Sequence, residues 1–174
     1  MINRKRKNTT DEISQIFGET TKATLSKAIG GEIEFAPTIQ KIPSIFLRPD
    51  IGCFVQFSGD YGGLLIINFS KGAALELYRE SMLLMGMPAE ELAREHTSDE
   101  VVDSLGEMVN QIIGKARSVI EEYYGLTAHN NQPKAISIVN EILLSINTLA
   151  SRNHCRRLSF KIKNQQFHIE LCME

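Results

Sequence analysis

No apolar run in this sequence is long enough to cross a bilayer, and no signal-peptide core follows the first residues. Neither a membrane span nor secretion is expected, and the chain reads as cytoplasmic. An excess of one charge is also missing. The 19 Lys and Arg nearly balance the 21 Asp and Glu, for a net charge of −2. No broad positive field is therefore available to hold nucleic acid. The one basic run, Arg4-Lys5-Arg6-Lys7, lies among polar residues and reads as a solvated, frayed tail. Cysteine is scarce: Cys53, Cys155 and Cys172 are odd in number and lack CxxC spacing. They read as buried thiols kept reduced. The histidines at 96, 129, 154 and 168 show no metal-ligand spacing, so neither a metal nor a cofactor of its own is expected. No Ser-His-Asp set or phosphate-cradling glycine loop is present, and no repeat or low-complexity linker divides the chain.

What is present is ordinary globular material. At 174 residues, with 43% hydrophobic and 23% charged, the chain can bury one sizeable core. The predicted organisation is a disordered basic tail over residues 1–10 and a single domain over residues 11–174. A helix is expected from Thr10 or Asp11 to about Ile29, stopped by Gly30-Gly31. Short strands follow at Glu32–Phe35 and within Thr38–Arg48, where Pro43 argues for an edge or a bulge. Gly52–Ser58 and Gly63–Phe69 flank Gly59-Asp60-Tyr61-Gly62 and read as a hairpin. Leu64-Leu65-Ile66-Ile67 is apolar enough to need cover on both faces.

Ser70 should cap a helix through about Leu84, and Pro88 should start a short one. Thr97-Ser98-Asp99-Glu100 reads as a capping box, with Thr97 at the cap, opening the longest helix. Gly125 ends that helix. Ala135–Ile146 reads as a strand, and Arg157–Lys163 with Gln166–Met173 as a second hairpin. Together these predict an α+β fold: a mostly antiparallel sheet with a long helix and further helices packed on it.

The long helix carries the functional signal. Val101, Leu105, Met108, Ile112 and Val119 form one apolar row, and Val102, Val109, Ile113, Ala116 and Ile120 the next. The opposite face carries Asp103, Glu107, Asn110, Gly114, Arg117 and Glu121. Glu107 and Asn110 are three apart, so both project the same way with Cβ atoms roughly 5–6 Å apart. Gly114 lies one turn on, where glycine costs about 1 kcal/mol relative to alanine, and Gly106 lies directly beside Glu107. Bare backbone there suits close approach by another chain. The alternative is that both glycines relieve crowding against a neighbouring element. A carboxylate can grip a partner's cation, and a carboxamide can donate to and accept from a water.

Gly106-Glu107-Met108-Val109-Asn110-Gln111-Ile112-Ile113-Gly114-Lys115 resembles the active-site helix of the CheC/CheX chemotaxis phosphatases, with its Glu-x-x-Asn followed by Gly-Lys. Gly62 to Ser70 and the Ala73-Ala74-Leu75 helix are similar to the CheX segment of glycine, apolar strand, Phe-Ser and helix. The whole chain looks closer still to an uncharacterised bacterial group related to CheX, through Leu47–Phe54 and His96–Glu100. The resemblance implies a CheX-like fold and hydrolysis of the aspartyl phosphate on a CheY-like response regulator. Glu107 would bind the regulator's lysine, Asn110 would orient the attacking water, and Mg²⁺ would belong to the regulator. Asp103, Gly106, Gly114 and Lys115 would line the partner contact. A second motif on the first helix is missing, since Glu19-Thr20-Thr21-Lys22 stands there. The same surface could instead bind a regulator without hydrolysis, or be ordinary solvated helix. The resemblance also implies a homodimer formed by joining sheets, for which the two C-terminal strands are the candidate edge.

Overall fold

The computed structural model of the chain describes residues 9–144 and 155–173. Residues 1–8 of the expected tail lie outside the described residues, and Thr9 and Thr10 already belong to the first helix. α1 (Thr9–Ile29) buries Ile13, Phe17, Thr21 and Leu25 along one side and stops at Gly30, whose φ of 62° few other residues tolerate.

Four strands follow: β1 (Glu34–Phe35), β2 (Gln40–Lys41), β3 (Ile45–Leu47) and β4 (Ile51–Gly59). The expected Thr38–Arg48 strand is thus split about Pro43, its halves joining different sheets. β5 (Gly63–Phe69) folds back on β4 with Ile51 opposite Phe69 and Phe57 opposite Gly63, the hairpin foreseen from the sequence. α2 (Lys71–Leu84) starts at Ser70, whose hydroxyl accepts from the Ala73 N–H at 3.1 Å. A single 3₁₀ turn (Ala89–Glu91) follows Pro88.

α3 (Asp99–Tyr124) is the longest element, and Gly125 closes it at φ 66°. The capping box does not form. Ser98 is the cap residue and its hydroxyl turns back to the Glu95 carbonyl at 2.8 Å, while its own carbonyl receives the Val101 and Val102 N–H groups. With the frame moved by one residue, Glu100 is no longer at the third helical position.

The rest of the chain is β6 (Ala128–Asn130), β7 (Lys134–Ser137), β8 (Ile142–Leu144), β9 (Cys155–Ile162) and β10 (Gln165–Met173). The predicted Ala135–Ile146 strand breaks into β7 and β8, and its last two residues lie outside the described ones. The main sheet runs β1-β9-β10-β5-β4-β6, with β2 also on β9, β7 also on β4, and every pair antiparallel. The C-terminal hairpin is therefore central. β10 lies between β9 and β5, and β9 is flanked by β1 and β2, so neither forms the expected sheet edge.

All three helices pack against one face of the sheet in the larger core, where Phe17 meets Phe57 at 5.7 Å and, separately, Phe167 meets Phe69 at 5.5 Å and Phe160 at 5.0 Å between ring centres. The opposite face is partly covered by β3 paired with β8, which encloses Ile45, Leu47, Ile66 and Ile138. The apolar run of β5 is thus covered on both sides, as its composition requires. Glu170 on β10 is fully buried here. It accepts from the Phe46 N–H at 2.9 Å, from Arg157 at 2.7 Å and from Arg48, holding β3 onto the sheet.

Cys155 and Cys172 face each other directly in the β9–β10 register, Cα atoms 4.0 Å apart, and are joined as a disulfide. This corrects the expectation of three reduced thiols. The pairing arises from hairpin register, which no spacing motif records. Cys53 is the free one, and burial pushes its thiol up to about 12. Among the described residues no helix is long and apolar enough to cross a membrane, and no His, Cys, Asp or Glu cluster is arranged to hold a metal.

Candidate functional site

α3 is fixed by one face, which leaves the other open to solvent. Val101, Leu105, Met108, Val109, Ile112, Ile113, Ala116 and Ile120 are buried against the sheet and α1. Their spacing leaves Asp103, Glu107, Asn110 and Gly114 exposed along a single outward stripe. Neither the Glu107 nor the Asn110 side chain has a hydrogen bond or ion pair among the described residues. A carboxylate and a carboxamide thus stand one helical turn apart, both open to a partner and both held by a rigid element.

The neighbouring glycines differ. Around a Cβ built on Gly114 there is nothing within 4 Å, so this glycine relieves no crowding in its own chain. Gly106 is half-buried on the flank toward β7, where a Cβ would make an ordinary 3.7 Å contact with the Ala135 nitrogen. Lys115 is exposed beside Gly114. Arg117, expected on the open face, instead leans over the helix flank, is half-buried and donates to the Asn130 side chain on β6 at 2.8 Å. Tyr61 lies beneath it, its phenol raised above the ordinary range by burial, with Arg117 opposing that shift. Nothing in the sequence disclosed this contact, because β6 is only three residues long.

Sequence reasoning also missed a groove between α1 and α3. The Tyr124 hydroxyl donates to the Glu12 carboxylate at 3.2 Å, pinning the end of α3 to the start of α1. The helices consequently run antiparallel and leave a trough of about 910 Å³ whose rim includes Gly114 and Lys115. It extends the Glu107–Asn110 stripe across a second element.

Comparison with solved structures identifies the class of fold. CheX from Desulfovibrio desulfuricans superimposes with a TM-score of 0.75 at 23% identity, over 94% of this chain and 99% of that one. A CheC-like superfamily protein from Shewanella sp. PV-4 gives 0.76 at 18% identity, over 94% and 97%. CheX from Borrelia burgdorferi, solved as a CheX–CheY–BeF₃–Mg²⁺ complex, gives 0.67 at 15%, over 92% and 97%. This protein therefore has the CheX/CheC-type α+β fold. Residues 4–174 match the family described as Protein of unknown function (DUF3334), and the chain belongs to that family. No curated protein matches the chain.

Proposed function

We propose that this protein is a CheX-like phosphatase acting on the aspartyl phosphate of a CheY-like response regulator. The observation that carries the reading is the pair Glu107 and Asn110, exposed and unengaged on the outward face of α3. The fold supports it, since a structural relative is known in complex with CheY, BeF₃ and Mg²⁺. In this reading Glu107 grips a cation of the regulator and sets α3 across the phosphorylated site. The Asn110 amide then reaches the phosphoryl group and holds a water in line with the bond to be broken. Water oxygen bonds to phosphorus, the bond to the aspartyl oxygen breaks, and both hydrogens leave on inorganic phosphate as the carboxylate is restored. Asn110 moves no proton, because an amide is neither acid nor base at neutral pH. Its contribution is position. In this reading the Mg²⁺ is the regulator's, and the protein works in the cytoplasm beside it.

The test is phosphate release from phosphorylated receiver domains encoded in the same genome. Asn110→Ala should slow hydrolysis roughly 100-fold, the scale of a misplaced reacting group, while regulator affinity stays nearly unchanged. Glu107→Ala should weaken binding about tenfold, as loss of a charge-assisted contact does. Wild-type protein that binds a phosphorylated receiver yet leaves its phosphate lifetime unchanged is a regulator-binding module, and the enzyme reading fails. The proposal includes a symmetric homodimer. With β9 and β10 inside the sheet, sheet joining falls to the β1/β2 or β6/β7 margins, and a monomer mass by light scattering at micromolar concentration would exclude it.

A further inference from the structure

The Cys155–Cys172 bond lies outside the helix-covered core. Both cysteines are buried in the smaller core on the opposite face of the sheet, among Ile45, Leu47, Ile66 and Ile138. In the β9–β10 register Cys155 stands opposite Cys172 and Arg157 opposite Glu170, and residues two apart on a strand share a face. The disulfide is therefore the next pair along from the Glu170 carboxylate, which holds Phe46 on β3 and Arg48 just beyond it. The walls around the sulfurs differ in stiffness. Ile66 belongs to β5, which is paired on both sides. β3 and β8 have three residues each and, among the described residues, pair only with one another.

We propose that Cys155 and Cys172 form a reversible redox couple, and that reducing it loosens the β3–β8 pair from the sheet. The reductant is a dithiol. Its thiolate attacks one sulfur, the Cys155–Cys172 bond breaks, and the departing sulfur takes a proton. The second thiolate of the reductant then attacks its own sulfur in the mixed disulfide and releases the other cysteine as a thiol. The protein gains two electrons and two protons, and the reductant leaves as a disulfide. Two bonded sulfurs sit about 2.0 Å apart, but unbonded ones need roughly the 3.5–4.0 Å of other heavy-atom contacts. That extra room has to be found in a closed apolar cluster, and crowding of this kind displaces its neighbours. The paired strands of the main sheet resist, so β3–β8 gives way, beside the Glu170 contacts that hold it down. The cysteines are 3% and 4% exposed, so a dithiol reaches them when β3–β8 lifts. Lifting thus favours reduction, and reduction favours lifting. On the cytoplasmic reading given above the bond meets dithiols in its own compartment, where disulfides are chiefly redox-sensing or catalytic; the coupling itself does not depend on that reading.

The experiment uses the full chain with no regulator present, so its result leaves the reading of Glu107 and Asn110 untouched. Alkylation in urea should modify one cysteine, Cys53, before treatment of the native protein with dithiothreitol, and three after it. Hydrogen exchange at the amides of β3 and β8 should be at least tenfold faster after reduction, while β5 stays within twofold. Glu170→Gln, which weakens the hold on β3, should speed reduction of the native protein at least fivefold. The double variant Cys155→Ala, Cys172→Ala has neither the bond nor the crowding. Its β3–β8 exchange should stay near the oxidised rate with or without dithiothreitol, and the wild-type comparison decides whether or not this variant folds. The proposal is overturned if the bond resists dithiothreitol until the protein is unfolded, or if Glu170→Gln leaves the reduction rate unchanged. It is equally overturned if β3–β8 exchange stays within twofold on reduction, or if β5 accelerates as much as β3, the mark of a structural cross-link. A double variant that exchanges as fast as the reduced wild type would also overturn it, since crowding would not be the cause.

Discussion

At the scale of single residues, α3 separates holding from doing. Ile112 is wholly buried and Asn110, two positions away, is exposed. Ile112→Ala should therefore cost about 2–5 kcal/mol through lost contacts and a residual cavity, whereas Asn110→Ala should stay within about 0.5 kcal/mol. Urea denaturation of the two variants checks this, and a large loss in Asn110→Ala would make the asparagine a structural group. Gly114 gives the converse case. Its surroundings are empty and its backbone is helical, so alanine there should raise stability by about 1 kcal/mol. If the bare surface is used by a partner, the same substitution should weaken regulator binding. Stability and binding moving in opposite directions would mark the glycine as kept for contact. The stripe was legible because a 26-residue helix repeats its period often enough to separate its faces. The bend of Arg117 toward Asn130 was not, since it depends on a strand three residues long.

Among the elements, legibility follows length and locality. The β4–β5 hairpin, α2 from Ser70 and α3 to Gly125 were all readable, because their signals lie within a few residues of one another. The cap of α3 was misread by one position because Thr97 and Ser98 are both good caps, and only the Ser98-to-Glu95 hydrogen bond decides between them. β3 and β8 carry few residues each, and what fixes them to the sheet is chemistry from β10. Glu170→Gln removes the charge that Arg48, Arg157 and the Phe46 N–H share. The expected loss is about 1.5–3 kcal/mol, the value of hydrogen bonds to an ionised group. Unfolding that is unchanged from wild type would show that packing of Ile45 and Leu47 alone retains the β3–β8 pair.

For the molecule as a whole, the alternation of residues 157–163 and 166–173 disclosed a hairpin but not its neighbours. Pairing of β10 with β5 is a tertiary choice that a local pattern does not encode, and the α1–α3 groove is hidden for the same reason. One global property does follow from the assembled core. His168 on β10 is half-buried beside Arg157, and burial foremost lowers its pKa below the ordinary 6.5. Below 6.5 the unfolded chain binds the proton more readily than the folded one. The stability associated with the neutral ring is therefore complete above that value and declines as pH falls toward the folded pKa. Urea midpoints at pH 7.5 and 5.5 should fall further for the wild type than for His168→Gln, and equal slopes would exclude the linkage.

The central position of β10 has a consequence for biosynthesis. β5 emerges early, with Leu64–Ile67 ready to pair, but its partner on one side is encoded roughly 100 residues later. At about 5–20 residues per second, that span occupies the ribosome for on the order of 5–20 s. Throughout that interval the most apolar strand of the nascent protein has one side without its final neighbour. The middle of the sheet can close only after residues 165–173 have been made.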